Sequence, residues 1–158
     1  MGFVLLIIAA MTSMTLPVYK SLKQGEENTL TANRLRMHVS VFKSYASENE
    51  GWPPSMAATD DFPTGMSNLL DAYNWTEETP LGGHFVWEAN GVHNGTTYPG
   101  VIVISDLHQE TYTPITASNE QLTKLDFILD DGDLTTGRFQ LGFRNVPIYI
   151  LDSGTSDF

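Results

Sequence analysis

The chain has 158 residues, eight Lys and Arg against nineteen Asp and Glu, a formal net charge of -11, and no cysteine. That length suits one compact head with an appendage, and 41% hydrophobic with 11% aromatic content excludes wholesale disorder. The absent cysteines exclude disulfides, thiolate metal sites and cysteine nucleophiles, and the acidic balance argues against nucleic acid as a partner because it repels a phosphate backbone.

The charge is unevenly placed. Residues 1–19 carry none, residues 20–50 are nearly balanced, and residues 51–158 set Lys124, Arg138 and Arg144 against fifteen acids, a net of -12. The uncharged opening, "MGFVLLIIAAMTSMTLPVY", lacks the positive start and small-residue cleavage site of a secretory signal. It also lacks the polar face of an ordinary surface helix, since "FVLLIIAAM" is apolar on every side. The expectation is a membrane-spanning helix of about 20 residues, with Thr12, Ser13 and Thr15 returning their hydroxyls to the backbone.

Beyond it the helical period resumes, with Leu35, His38, Phe42 and Tyr45 on one stripe and Leu30, Met37 and Val41 beside it. Pro17 and Gly25 are the expected break points. The helix is expected to stop at "ENEGWPP", where Gly51 is the C-cap and Pro53 and Pro54 forbid continuation. Three segments follow: residues 1–24 as the apolar half of a stalk helix, 25–50 as its amphipathic half, and 51–158 as an acidic head.

In the head, "GMSNLLDAYNW" predicts a helix of two turns whose Met66, Leu69, Leu70 and Tyr73 face a core. "HFVWEAN" alternates as a strand with Phe85 and Trp87 on one face. Asn94 and Gly95 then signal a hairpin into the strand "GVIVIS". A second helix is expected after the N-cap Ser118, with Leu122, Leu125, Phe127 and Leu129 as its apolar members. "GRFQLGFR" and "PIYILD" read as closing strands that turn near Asn145 and Pro147. The fold class is α+β: a long N-terminal hydrophobic helix packed on a small antiparallel sheet with one or two short helices.

Few residues suggest chemistry. Asp130, Asp131 and Asp133 gather three carboxylates around a glycine turn, the hard oxygen donors that Ca²⁺ requires, although not at EF-hand spacing. The competing reading is a helix C-terminus with solvated aspartates. His38, His84, His93 and His108 share no metal-binding spacing, and no nucleophile elbow or phosphate loop occurs. No enzyme is expected. Asn74 in "NWT" and Asn94 in "NGT" fit the glycosylation acceptor pattern.

The run "FVLLIIAAMTSMTLPVYKSLKQ", with Pro17 followed by Tyr19, resembles the N-terminal helix of type IV pilins and type II secretion pseudopilins. "FKSYASENEGWPP", "TPLGGHFVWE" and "LDDGDLTTGRF" resemble heads of that prepilin-type family. The resemblance implies a structural subunit of an extracellular or periplasmic pilus-like filament, whose core would hold Phe3, Val4, Leu5, Leu6, Ile7, Ile8, Met11, Met14 and Leu16. It implies other copies of the chain as partners, an inner-membrane stage before assembly, and handling by a pilus or secretion assembly machinery. Some pseudopilin heads also hold calcium, which the resemblance assigns to no particular residues here. The family's glutamate shortly after the processing glycine is missing, because the fifth residue from Phe3 is Ile7. The expected processing site therefore lies upstream of Met1; the other reading is that Met1 is genuine and the missing acid resembles the minor subunit that caps some of these filaments. The alternative is a membrane-tethered carbohydrate-binding or hydrolytic domain, with Trp52, Trp75 and Trp87 as a sugar-stacking set.

Overall fold

A computed structural model describes the chain over residues 2–57, 60–108 and 111–154, with side chains inside the first helix from residue 17 onward. Helix α1, Gly2–Asn49, is 48 residues long, about 72 Å at 1.5 Å per residue. It runs without interruption through Pro17 and Gly25, so the expected breaks are absent. Pro17 forfeits one hydrogen bond to the preceding turn, and Gly25 costs about 1 kcal/mol relative to alanine. Neither defeats a helix extended on both sides, and the Gly25 carbonyl accepts a further bond from Thr29 Oγ1 at 2.8 Å.

Among the described residues no helix is long and apolar enough to cross a membrane. This overturns the expected inner-membrane stage and the localisation built on it. Lys20, Lys23, Glu26 and Glu27 place charge through two successive turns of α1, and charge at that spacing is costly in hydrocarbon.

The second half of α1 packs by one stripe, as the period predicts. Asn28, Thr31, Ala32, Leu35, His38 and Phe42 are buried, at the three-and-four spacing of a single helical face. Leu30 and Met37 are instead exposed, because they lie on the flank that meets no other element. The left-handed residue that ends the helix is Glu50, at φ 55°, rather than Gly51, whose N–H reaches back to the Ala46 carbonyl at 3.0 Å.

The head builds a four-stranded antiparallel sheet in the order β1-β2-β6-β5. Strands β1, His84–His93, and β2, Thr96–Ser105, form a hairpin around Asn94 and Gly95. Both turn residues have positive φ, 52° and 83°, the geometry whose twist matches the strands it joins. Strand β6, Pro147–Asp152, pairs with β2 on one side and with β5, Phe139–Leu141, on the other. A separate two-stranded ribbon joins β3, Leu107–His108, to β4, Thr111–Tyr112.

One sheet face meets α1. Phe85 lies opposite Ile104 and Trp87 opposite Ile102, and all four join Leu35 and Phe42 in the main core. The other face buries Val101, Val103, Ile148 and Ile150 as a smaller cluster. The "GMSNLLDAYNW" segment folds as one α-turn, α2 at Ser67–Leu70, followed by a 3₁₀ turn at Asp71–Tyr73. Met66 and Leu70 are buried there, whereas Leu69 and Tyr73 are exposed. Helix α3, Asn119–Leu129, starts at Ser118, whose side chain accepts from the Gln121 N–H. Its buried face is Gln121, Leu122, Leu125 and Asp126. Phe127, one of the apolar members expected in this helix, is 69% exposed, because it lies about 100° around the helix from Asp126.

Candidate functional site

The end of α3 brings acidic groups together. Asp126, Asp130 and Asp131 each offer a carboxylate oxygen, and these oxygens lie within 4.8 Å of one another. Asp126 is absent from the sequence-based set, and Asp133 is present there but not here. Four residues separate Asp126 from Asp130, so the α3 period itself brings them to one side. Asp133 points its carboxylate the other way, accepting from the Thr135 N–H at 3.0 Å and the Thr135 hydroxyl at 2.7 Å. Those bonds hold its carboxyl below its ordinary pKa.

The loop after α3 is organised by the other two. Asp131 accepts from the Asp133 N–H at 2.8 Å and from the Thr136 hydroxyl at 3.0 Å. Asp130 accepts from the Arg138 N–H, and its Oδ2 occupies the space where a side chain at Gly137 would begin. Asp126 is different in kind. It is fully buried, with the Gly132 backbone and the Asp131 carboxyl as its polar neighbours. Burial, followed by repulsion from Asp131 and Asp130, raises its pKa to about 6.

The histidines do not converge. His38 is buried between Trp75 and Phe85, with ring centroids 4.9 and 4.8 Å away. His93 accepts at Nδ1 from the Phe143 N–H and donates from Nε2 to Glu88 at 3.0 Å, so both ring nitrogens serve the fold. His84 stacks on His108 at 5.1 Å, with its Nε2 3.4 Å from the Thr113 hydroxyl.

The tryptophans form no exposed platform. Trp75 and Trp87 are fully buried, and Trp87 donates its indole N–H to the Pro53 carbonyl at 2.9 Å. Trp52 lines a cleft of about 1030 Å³ with Lys43, Tyr98, Arg138 and Asp152, and its indole N–H is tied to Asp152 at 3.0 Å. Neither a histidine nor the acidic triad lines that cleft. Asn74 is exposed and left-handed at the end of a 3₁₀ turn. Asn94 is also exposed, but its amide nitrogen donates to the Leu141 carbonyl at 2.8 Å.

The expected filament-core side chains, Phe3 to Leu16, lie outside the described side chains. The adjoining stretch of α1 is informative: residues 17–23 are all exposed. Seven consecutive residues cover the whole circumference of a helix, so α1 is exposed on every side over these two turns, with Lys20 near enough to act on Glu120 of α3. Val18, Tyr19 and Leu22 are 60%, 68% and 70% exposed.

No protein-family model matches the chain, and neither a curated protein nor a solved structure matches it.

Proposed function

We propose that this chain is the structural subunit of a helical filament of the type IV pilus-like kind, polymerising through α1. The observation that carries the reading is the exposed stretch of α1. Residues 17–23 are all exposed, they display Val18, Tyr19 and Leu22, and the helix continues from them into a segment without charge. Among the described residues the apolar side chains Val18, Tyr19 and Leu22 of α1 are left uncovered, and exposed apolar surface of this kind favours association.

Sister helices supply the matching surface. Contacts between unlike faces of successive copies do not close, so one sequence extends into a fibre. The acidic heads then form the outside, where like charge favours solubility and spacing. Such a subunit acts by assembly rather than by catalysis, which fits a head whose histidines are occupied by packing and structural bonds.

The test is sedimentation of the full chain against Tyr19→Glu and Leu22→Glu. Both positions are exposed on α1, so head folding, read by tryptophan fluorescence, stays unchanged. Polymer in the pellet is expected to fall at least tenfold in each variant. Undiminished pelleting in both overturns the role of α1.

A further inference from the structure

Most cations of this acidic chain already have partners. Lys23 pairs with Glu27, Arg34 with Glu77 and Lys124 with Glu120. Arg36 donates to the Ile128 carbonyl, and the Arg144 guanidinium lies 5.9 Å from the centroid of the Phe143 ring. Lys43 of α1 and Arg138, at the entry to β5, are different. Among the described residues neither forms an ion pair, and both line the cleft of about 1030 Å³. They come from elements far apart in sequence, so the tertiary fold and no local pattern brings them to one place.

The rest of the cleft suits an apolar body. Ile150 is buried and Trp52 and Tyr98 are half-buried, whereas Lys43 and Arg138 are exposed, which sets the charges at the rim and the apolar groups deeper. Both aromatic rings are held by bonds from within the fold. Trp52 donates its indole N–H to Asp152 at 3.0 Å, and the Gln140 amide donates to the Tyr98 hydroxyl at 3.1 Å. Rings fixed in advance lose little freedom when a ligand packs on them. Two acids also line the cleft, Glu50 and Asp152. Asp152 is committed, because its other oxygen accepts from the Gly154 N–H at 2.8 Å. That leaves two unpartnered cations against Glu50, which is exposed just beyond the end of α1.

We propose that this cleft binds a small organic anion, a carboxylate or phosphate carried on a flat apolar body. Its volume lies at the upper end of small-molecule sites. The Arg138 guanidinium offers a planar fork of donors that meets either head group with two hydrogen bonds, and the Lys43 ammonium adds a compact positive charge. Residues 51–158 carry a net charge of -12 and repel an anion over most of the head, so the cleft is where such a ligand finds attraction. The inference is independent of the filament reading, since none of residues 17–23 lines the cleft.

The test is an NMR titration of the isotope-labelled full chain with sodium benzoate and with phenyl phosphate, read at the Trp52 indole N–H. A saturable shift is expected with at least one of them, in the millimolar range for so small a probe, and the tighter of the two identifies the head group. Benzamide keeps the ring without the charge, and sodium acetate keeps the charge without the ring. Each is expected to bind about tenfold more weakly or worse. Lys43→Gln and Arg138→Gln should each weaken the anion about tenfold. Because both side chains are exposed, neither variant should move the unfolding midpoint by more than about 2 °C. No saturable shift with either anion, benzamide binding as tightly as the anions, or full affinity retained in both variants would each overturn the site.

Discussion

His38 Nε2 donates a hydrogen bond to the carbonyl of Tyr73 at 3.0 Å, fixing the middle of α1 to the 3₁₀ turn that follows α2. A carbonyl only accepts, so the bond fixes the neutral tautomer with its proton on Nε2. Burial holds the imidazole pKa down at about 4, with the Arg34 guanidinium one turn earlier adding to the effect. Unfolded, the same ring takes up its proton near 6.5. The contribution of neutral His38 is therefore complete above pH 6.5 and is lost as pH falls toward 4, on the order of 3 kcal/mol in all. An NMR titration should place the His38 midpoint near 4; a midpoint near 6.5 contradicts the burial.

Phe42 stacks on Trp87 at 4.2 Å between ring centroids and so carries the contact between α1 and the sheet. Phe42→Ala should cost about 3–5 kcal/mol, as large-to-small changes in a closed core do. Phe127→Ala, at a 69% exposed position, should change stability by about 0.5 kcal/mol or less. Urea unfolding of the two variants gives the comparison. Equal losses would contradict the assignment of Phe127 to the surface.

The helix periods and the hairpin were legible in the sequence for local reasons. Asn94 and Gly95 demand a turn with both φ angles positive, and the spacing of Leu35, His38 and Phe42 leaves one face to bury. The placement of β6 between β2 and β5 was not legible, because strand order depends on which edges meet and not on any local pattern. Asp126 is legible only through the helix period: its distance of four residues from Asp130 puts both on one side at the end of α3, whereas Asp133, nearer in sequence, is committed by the turn to Thr135. Phe127 is apolar by type, but its angular position on α3 faces water.

Gly25 lies inside a continuous helix, with nothing within 4 Å of where a side chain would begin. Gly25→Ala should therefore increase stability by about 0.5–1 kcal/mol through helix propensity and reduced freedom of the unfolded chain. Helical circular dichroism and thermal unfolding measure it. A loss of helix or stability would restore Gly25 as a required break.

Ser118 caps α3 by accepting from the Gln121 N–H at 3.3 Å, and α3 holds Asn28 of α1 through the Gln121 carbonyl at 3.0 Å. Ser118→Ala should cost about 1 kcal/mol. Hydrogen exchange should show the loss concentrated in the first turn of α3, and an unchanged rate there would contradict the cap.

Assembly through α1 is tested most directly by electron microscopy of the purified full chain. Long fibres of uniform width are expected, with the α1 helices bundled along the axis and the acidic heads outside. Monodisperse particles of single-chain size, at concentrations where the head is folded, would contradict it.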